Sequence, residues 1–179
     1  IDLAVEPYNS TAGWEPIGTQ AEPFTGLLDG NGKIISNLFL SRASEEGVGL
    51  FGYVDGPAVA IRNLTLENFS VEGLRWVGGL VGATWSSEAF LTVENCHASG
   101  SAKGTKSVGG ILGDGEASII NCTSSVIISA VPASWGGGIW NIGGLAGAVT
   151  GTVTNSTAEG SIHVNSTVDG ADVNDVGGL

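Results

Sequence analysis

The chain has 179 residues, 18 acidic and 6 basic, for a net charge of −12, and glycine supplies 30 of them. Only five prolines and no G-X-Y period exclude collagen, and 42% apolar residues exclude a disordered chain. No run is long and apolar enough for a transmembrane helix, so no direct membrane insertion is expected, and the absence of Lys and Arg beyond Lys106 excludes nucleic acid as a natural partner.

In chain order, residues 1–24 stand apart from the rest of the sequence. They carry Tyr8, Trp14 and Phe24, and we expect them to form a lead-in that covers the first coil of a repeat region over 25–179. Neither a methionine nor a charged-then-apolar leader opens the chain, which reads as a processed product or an excised piece. Asp29-Gly30-Asn31-Gly32 predicts a tight turn before a strand over Lys33–Leu40. It lacks the Glu at the twelfth position that an EF-hand calcium loop needs, so no metal is expected there. Beyond it, Val, Ile, Thr and Ser dominate and Gly interrupts nearly every helical window, which predicts strands and almost no helix.

Two landmarks then recur. Val48-Gly49-Leu50-Phe51-Gly52 returns as Val77-Gly78-Gly79-Leu80-Val81-Gly82, as Val108-Gly109-Gly110-Ile111-Leu112-Gly113 and as Ile142-Gly143-Gly144-Leu145-Ala146-Gly147. The chain stops on a fifth opening, Val176-Gly177-Gly178-Leu179, so its C-terminal face is expected to be sticky and capable of end-to-end self-association. Between these corners Ile35-Ser36-Asn37-Leu38 matches Ile61-Arg62-Asn63-Leu64, Val93-Glu94-Asn95-Cys96, Ile119-Ile120-Asn121-Cys122 and Val153-Thr154-Asn155-Ser156. Five residues on, Asn68, Gly100 and Gly160 predict a second turn, with Val126 the exception.

Short strands on such a period predict a parallel β-helix of about five coils, in which like residues stack about 4.8 Å apart. Ile35, Ile61, Val93, Ile119 and Val153 should form one apolar stripe, and the Leu of each G-L-x-G another. Asn37, Asn63, Asn95, Asn121 and Asn155 should form one internal amide ladder, against the alternative of an exposed polar column. The glycine pairs are expected where a side chain would strike its counterpart one coil away. Cys96 and Cys122 share a column with Leu38 and Leu64, and reduced, stacked thiols are favoured over a bridge.

These residues resemble the GLUG-motif repeat family, whose G-L-x-G core stands at Gly49–Gly52, Gly79–Gly82 and Gly144–Gly147, with Ile replacing Leu at 111. Trp14-Glu15-Pro16-Ile17-Gly18 and Pro23–Gly32 are similar to the segment that commonly precedes such repeats. The resemblance, over about 14–179, implies right-handed β-helical regions of large secreted or surface-anchored bacterial proteins, adhesins and immunoglobulin-A-cleaving metallopeptidases among them. In those peptidases the chemistry lies in another domain, which implies a stalk or a recognition surface for the repeats.

No catalytic, cofactor or metal residues are assigned. His97 and His163 lack a spaced partner and read as solvent-facing strand positions. Glu45-Glu46 and Asp114/Glu116 are the nearest approach to paired glycosidase carboxylates, but read more simply as solvated loop charges. Of the regular Thr array that an ice-binding solenoid needs, only Thr152-x-Thr154 is present. Sequons at Asn9, Asn63, Asn68, Asn121, Asn155 and Asn165 read as by-products of the Asn-turn-Thr/Ser repeat. Trp76, Trp135 and Trp140 precede the glycine corners in stretches of variable length. They are the candidate ligand-binding residues, with rings that either stack on a glycan or protein partner or plug the coil corner. The expected function is a non-catalytic extracellular module, stalk or adhesive surface, anchored through parts outside this chain. The alternative is a β-helical carbohydrate-active enzyme or the non-catalytic region of a secreted peptidase.

Overall fold

A computed structural model describes residues 1–85, 90–132, 138–165 and 172–178. Among them are fifteen strands and no helix, and every strand-to-strand ladder is parallel. The fold is a parallel β-solenoid of about four turns, rather than the five expected. One turn runs through Leu91–Glu94, a bend at Asn95, His97–Gly104, a bend at Thr105, Lys106–Gly109, the glycine corner and the first half of Leu112–Ile120, whose second half stacks on Leu91–Glu94 and opens the next turn. Each segment pairs with the equivalent segment of the next turn, as His97–Gly104 pairs residue for residue with Thr123–Ala130.

Alternation places the core. In Thr123–Ala130, Ser124, Val126, Ile128 and Ala130 are buried while Thr123, Ser125 and Ile127 face out. Inward columns such as Val48–Val77–Val108–Ile142 and Leu50–Leu80–Ile111–Leu145 fill the interior end to end. The leucine stripe of the G-L-x-G motif is therefore present as read. The other expected stripe needs correction: Ile61, Val93, Ile119 and Val153 stack, but Leu28 rather than Ile35 precedes them. Ile35 sits opposite Leu66 instead.

The cause is an extra loop of chain. Asp29-Gly30-Asn31-Gly32 is a bulge inside the strand Leu27–Ser36, with Asn31 and Gly32 left-handed, and it shifts the register between Asp29 and Lys33. The expected strand Lys33–Leu40 is accordingly split at Asn37 and Leu38, and Phe39–Val48 comes next. Asn37 then stacks on Asn68, whose Nδ2 donates to its Oδ1 at 2.5 Å, and Leu38 leaves the cysteine column. The remaining asparagines do form a ladder. Asn63 donates to Asp29 at 3.0 Å, Asn95 to Asn63 at 3.1 Å and Asn121 to Asn95 at 3.2 Å, with Asn155 next in register.

This ladder lies outside the core, against expectation. Val93 and Cys96 both point inward, which leaves Glu94 and Asn95 between them outside, and Ile119 and Cys122 repeat the pattern around Ile120 and Asn121. What selects Asn is the backbone: Asn63, Asn95, Asn121 and Asn155 all have φ between 49° and 55°. Asn tolerates that left-handed bend, and its amide can bond to its copy. The sequon asparagines of the ladder thus reach the surface. Of the second turn expected at Asn68, Gly100 and Gly160, Asn68 forms a bulge opposite Ser99 and Gly160 a bend between Thr157–Ala158 and Ser161–Val164, whereas Gly100, like the exception Val126, pairs within a continuous strand.

The glycine corners are sites of close approach. A Cβ at Gly79 would lie 2.5 Å from the Gly110 carbonyl oxygen and from Phe69 Cζ, and one at Gly110 would lie 2.6 Å from the Gly144 oxygen. At Gly110 the space is also taken by Ser124, a fully buried hydroxyl that donates to the Gly144 carbonyl at 2.6 Å. Cys96 and Cys122 are buried free thiols in register with Leu64, each donating to backbone carbonyls. The Cys122 thiol beside it, then burial, push the Cys96 thiol up.

Residues 1–24 lie against the first turn through isolated bridges at Asp2, Gly13, Ile17 and Phe24. Ile1, Leu3, Tyr8, Trp14, Ile17 and Phe24 line an apolar cavity of about 390 Å³ there. Across the turns, Asp29–Arg62, Glu46–Arg75 and Glu72–Lys103 pair at 2.6 to 2.9 Å between directly opposed positions. Exposed pairs of this kind contribute little energy, but a slip of one residue would break all three together.

Replacing Asn121 by Gly should cost a few tenths of a kcal/mol, whereas Leu, strained at φ 52°, should cost about 1–2 kcal/mol. Equal urea midpoints for the two variants would place the energy in the amide bonds rather than the bend. Gly110→Ala should lose about 1–3 kcal/mol by overpacking, read from the same unfolding curves. The Asn63 amide, the Asn31 N–H and Arg62 hold the Asp29 carboxyl below its ordinary range, and Asn37 does the same for Asp2. Their stabilisation is complete above the unfolded carboxylate value near 4 and is lost as pH falls through the depressed folded values. Asp29→Asn should flatten the loss of stability below about pH 4, measured by urea unfolding at stepped pH.

Candidate functional site

The residue before each glycine corner repeats a second conformational device. Gly47, Trp76, Ser107, Asn141 and Asp175 have φ of 68°, 57°, 51°, 58° and 53°, and the register of the following Val or Ile stacks all five. Each chain bends left-handed before turning through the glycines. Gly, Asn and Asp suit that bend; Trp does not, and holding a bulky side chain there costs roughly 1–2 kcal/mol. Ser107 and Trp76 are therefore the two members whose side chains do not suit the backbone, and Trp76 is much the bulkier.

Its half-buried ring has three close neighbours. The Arg75 guanidinium carbon lies 4.7 Å from the Trp76 ring, while Arg75 also pairs with Glu46 at 2.6 Å. Tyr53 and Trp85 meet Trp76 edge-on at 6.4 and 6.2 Å, and each other at 5.6 Å. Tyr53 occupies the space that a side chain at Gly47 would need, which explains why the preceding coil has glycine in this column. Burial, and then the charge of Glu46, push the Tyr53 phenol up. Trp85 keeps 42% of its surface exposed. Trp76, Ala83, Thr84, Trp85 and Asp114 line a cavity of about 130 Å³.

Polar groups continue this corner along the stack. Ser107, fully buried, donates to Asp114 at 2.7 Å, and the Asn141 amide reaches Ser107 at 3.5 Å. Beyond them Lys106 Nζ lies 4.8 Å over the Trp140 ring, which is 39% exposed. Lys106, Trp140, Asn141, Asn174 and Asp175 line a second cavity of about 350 Å³. Trp140 belongs to the column Glu46–Arg75–Lys106–Trp140–Asn174, one residue before that of Trp76. The structure thus brings Trp76 and Trp140 to one corner, two coils apart. Trp135 lies outside the described residues.

Tyr53 and Trp85 were missed as partners of Trp76, although the column Tyr53–Ala83–Asp114 runs directly after the G-L-x-G motif. Of the other candidates, Glu46 and Asp114 lie at this corner but are already engaged. Glu45 and Glu46 are bound to Arg42 and Arg75, and Asp114 to Ser107, while the Glu116 N–H donates to Thr84. His97 bonds to Thr123 and His163 to Ser161, both on outward strand positions. Among the described residues no three His, Cys, Asp or Glu side chains gather as a metal site would require.

Residues 138–163 match the GLUG motif. Halomucin of Haloquadratum walsbyi is 37% identical over 125 residues, which is 69% of this chain and 1% of that protein. A protein of Evansella cellulosilytica whose name describes it as a Gly-rich membrane protein is 34% identical over 96 residues, 52% of this chain and 11% of that protein. The chain thus spans only a small part of each curated relative. No solved structure matches it. The matched segment holds Ile139–Gly143, a glycine corner, Ala146–Thr154, Asn155 and Ser161–His163, which together make most of one coil. The same corner recurs at Gly49, Gly79 and Gly110, and the chain is a GLUG-repeat β-solenoid.

Proposed function

We propose that this chain is a non-catalytic coil stack of an extracellular surface protein, serving as a stalk and offering its glycine corner as an adhesive recognition face. The observation that carries this is the continuous parallel pairing from Leu27 to Gly177, which makes each turn both the template and the support of the next. Such a rod lengthens by about 4.8 Å per turn without changing its cross-section. Matching only 1% of Halomucin is what a short run of such turns in a very large protein would give, and the second relative's name places that protein at a membrane. The candidate glycosidase carboxylates Glu45 and Glu46 are tied to arginines, which favours the recognition reading over an enzymatic one.

An antibody raised against the folded chain should label intact cells of the source organism as strongly as permeabilised ones. Labelling that requires permeabilisation overturns the surface assignment.

A further inference from the structure

We propose that the glycine corner from Trp85 and Trp76 to Trp140 binds an uncharged, β-1,4-linked hexopyranose chain laid along the solenoid axis. This rests on reading the corner as a recognition face, and names what that face recognises. Three observations converge on it. The first is strain. Gly47, Asn141 and Asp175 suit the left-handed bend of their column, the small Ser107 is anchored to Asp114, and the bulky Trp76 has the largest steric conflict, so the coil itself does not call for a tryptophan there. The second is presentation. Trp76 is braced by Tyr53 and Arg75, while Trp85 and Trp140 each keep about two-fifths of their surface exposed at the mouths of two neighbouring cavities.

The third is spacing. Trp76 and Trp140 are two coils apart, about 10 Å along the axis at about 4.8 Å per coil. That is close to the disaccharide repeat of a flat β-1,4-linked ribbon, in which every second ring turns the same face to one side. Two such rings can therefore stack on Trp76 and Trp140 through their C–H faces. The ring between them falls at the level of the intervening coil, which carries Asp114, and Asn141 lies beside Trp140; their carboxylate and amide suit hydroxyl groups. Asp114 and Asp175 at the corner, with a net charge of −12, oppose an acidic polysaccharide. Lys106, which would otherwise attract one, is held over Trp140.

The test is titration of the chain with cellobiose, cellohexaose, mannohexaose, chitohexaose and decaproline, read by tryptophan fluorescence and calorimetry. At least one hexasaccharide should bind, at least tenfold more tightly than the disaccharide, because only the longer chain reaches both tryptophans. Trp140→Ala should weaken binding at least tenfold with an unchanged unfolding midpoint. Trp76→Asn should weaken it similarly while leaving the midpoint unchanged or higher, since Asn relieves the strained bend. No binding of any hexasaccharide, binding of decaproline alone, or full binding by Trp140→Ala overturns the proposal. So does a Trp76→Asn chain that is less stable yet binds normally, which would make Trp76 a structural plug. Surface labelling is independent of all these outcomes, so a failure here leaves the surface assignment standing.

Discussion

Each strand of this molecule hydrogen-bonds to its own equivalent one turn away, so every position must tolerate a copy of itself about 4.8 Å along the axis. Glycine pairs stand at 78–79 and 109–110 because a Cβ there would meet a carbonyl of the same corner or the next one. Inward columns mix Val, Leu, Ile and Cys freely, because apolar side chains stack on one another without leaving a polar group unpartnered. Opposed positions such as Glu72 and Lys103 alternate in sign, because like charges stacked so closely would repel.

Bends in such a stack must also be stackable, and this chain makes two of them in the left-handed region of each turn. The asparagine bend is self-sufficient: the residue that tolerates the conformation also bonds to its copy, and Asp29 closes the ladder at its start with a carboxylate in place of the amide. The bend before the glycine corner has no single occupant. Gly47, Asn141 and Asp175 are inexpensive there, and because no copy-to-copy bond is required the column varies from coil to coil. That freedom is what permits Trp76, with a strained backbone as the consequence, and with it the aromatic cluster. A scaffold whose stability resides in backbone pairing can carry such a residue on one coil alone.

A rod built by repetition presents any feature of one coil at a fixed rise from the same feature on another. Spacing along the axis is therefore quantised by the strand separation, while chemistry is set by which residues vary. Trp76 and Trp140 reach one corner although they are far apart in the chain, because two turns bring the strand back to the same place.

The repeat architecture was legible in the residues because its causes are local. Close approach demands glycine wherever it occurs, and alternation of apolar residues needs only the strand itself. Asn63, Asn95, Asn121 and Asn155 were legible for the same reason, since a left-handed bend selects Asn from its own backbone. Asn37 was not, because Ile35-Ser36-Asn37-Leu38 spells the same words as the true ladder segments while the bulge at Asp29–Gly32 slides it onto Asn68. The side on which the ladder lies was equally hidden: Val93 and Cys96 both turn inward across the bend, and alternation counted along the chain breaks at that point. The aromatic corner was only half visible. Trp76 and Trp140 stood out as residues, but Tyr53, Trp85 and Asp114 come from other turns or the far side of the glycines. Which columns become neighbours depends on how far each turn of chain travels before it closes, and only the closed coil decides that.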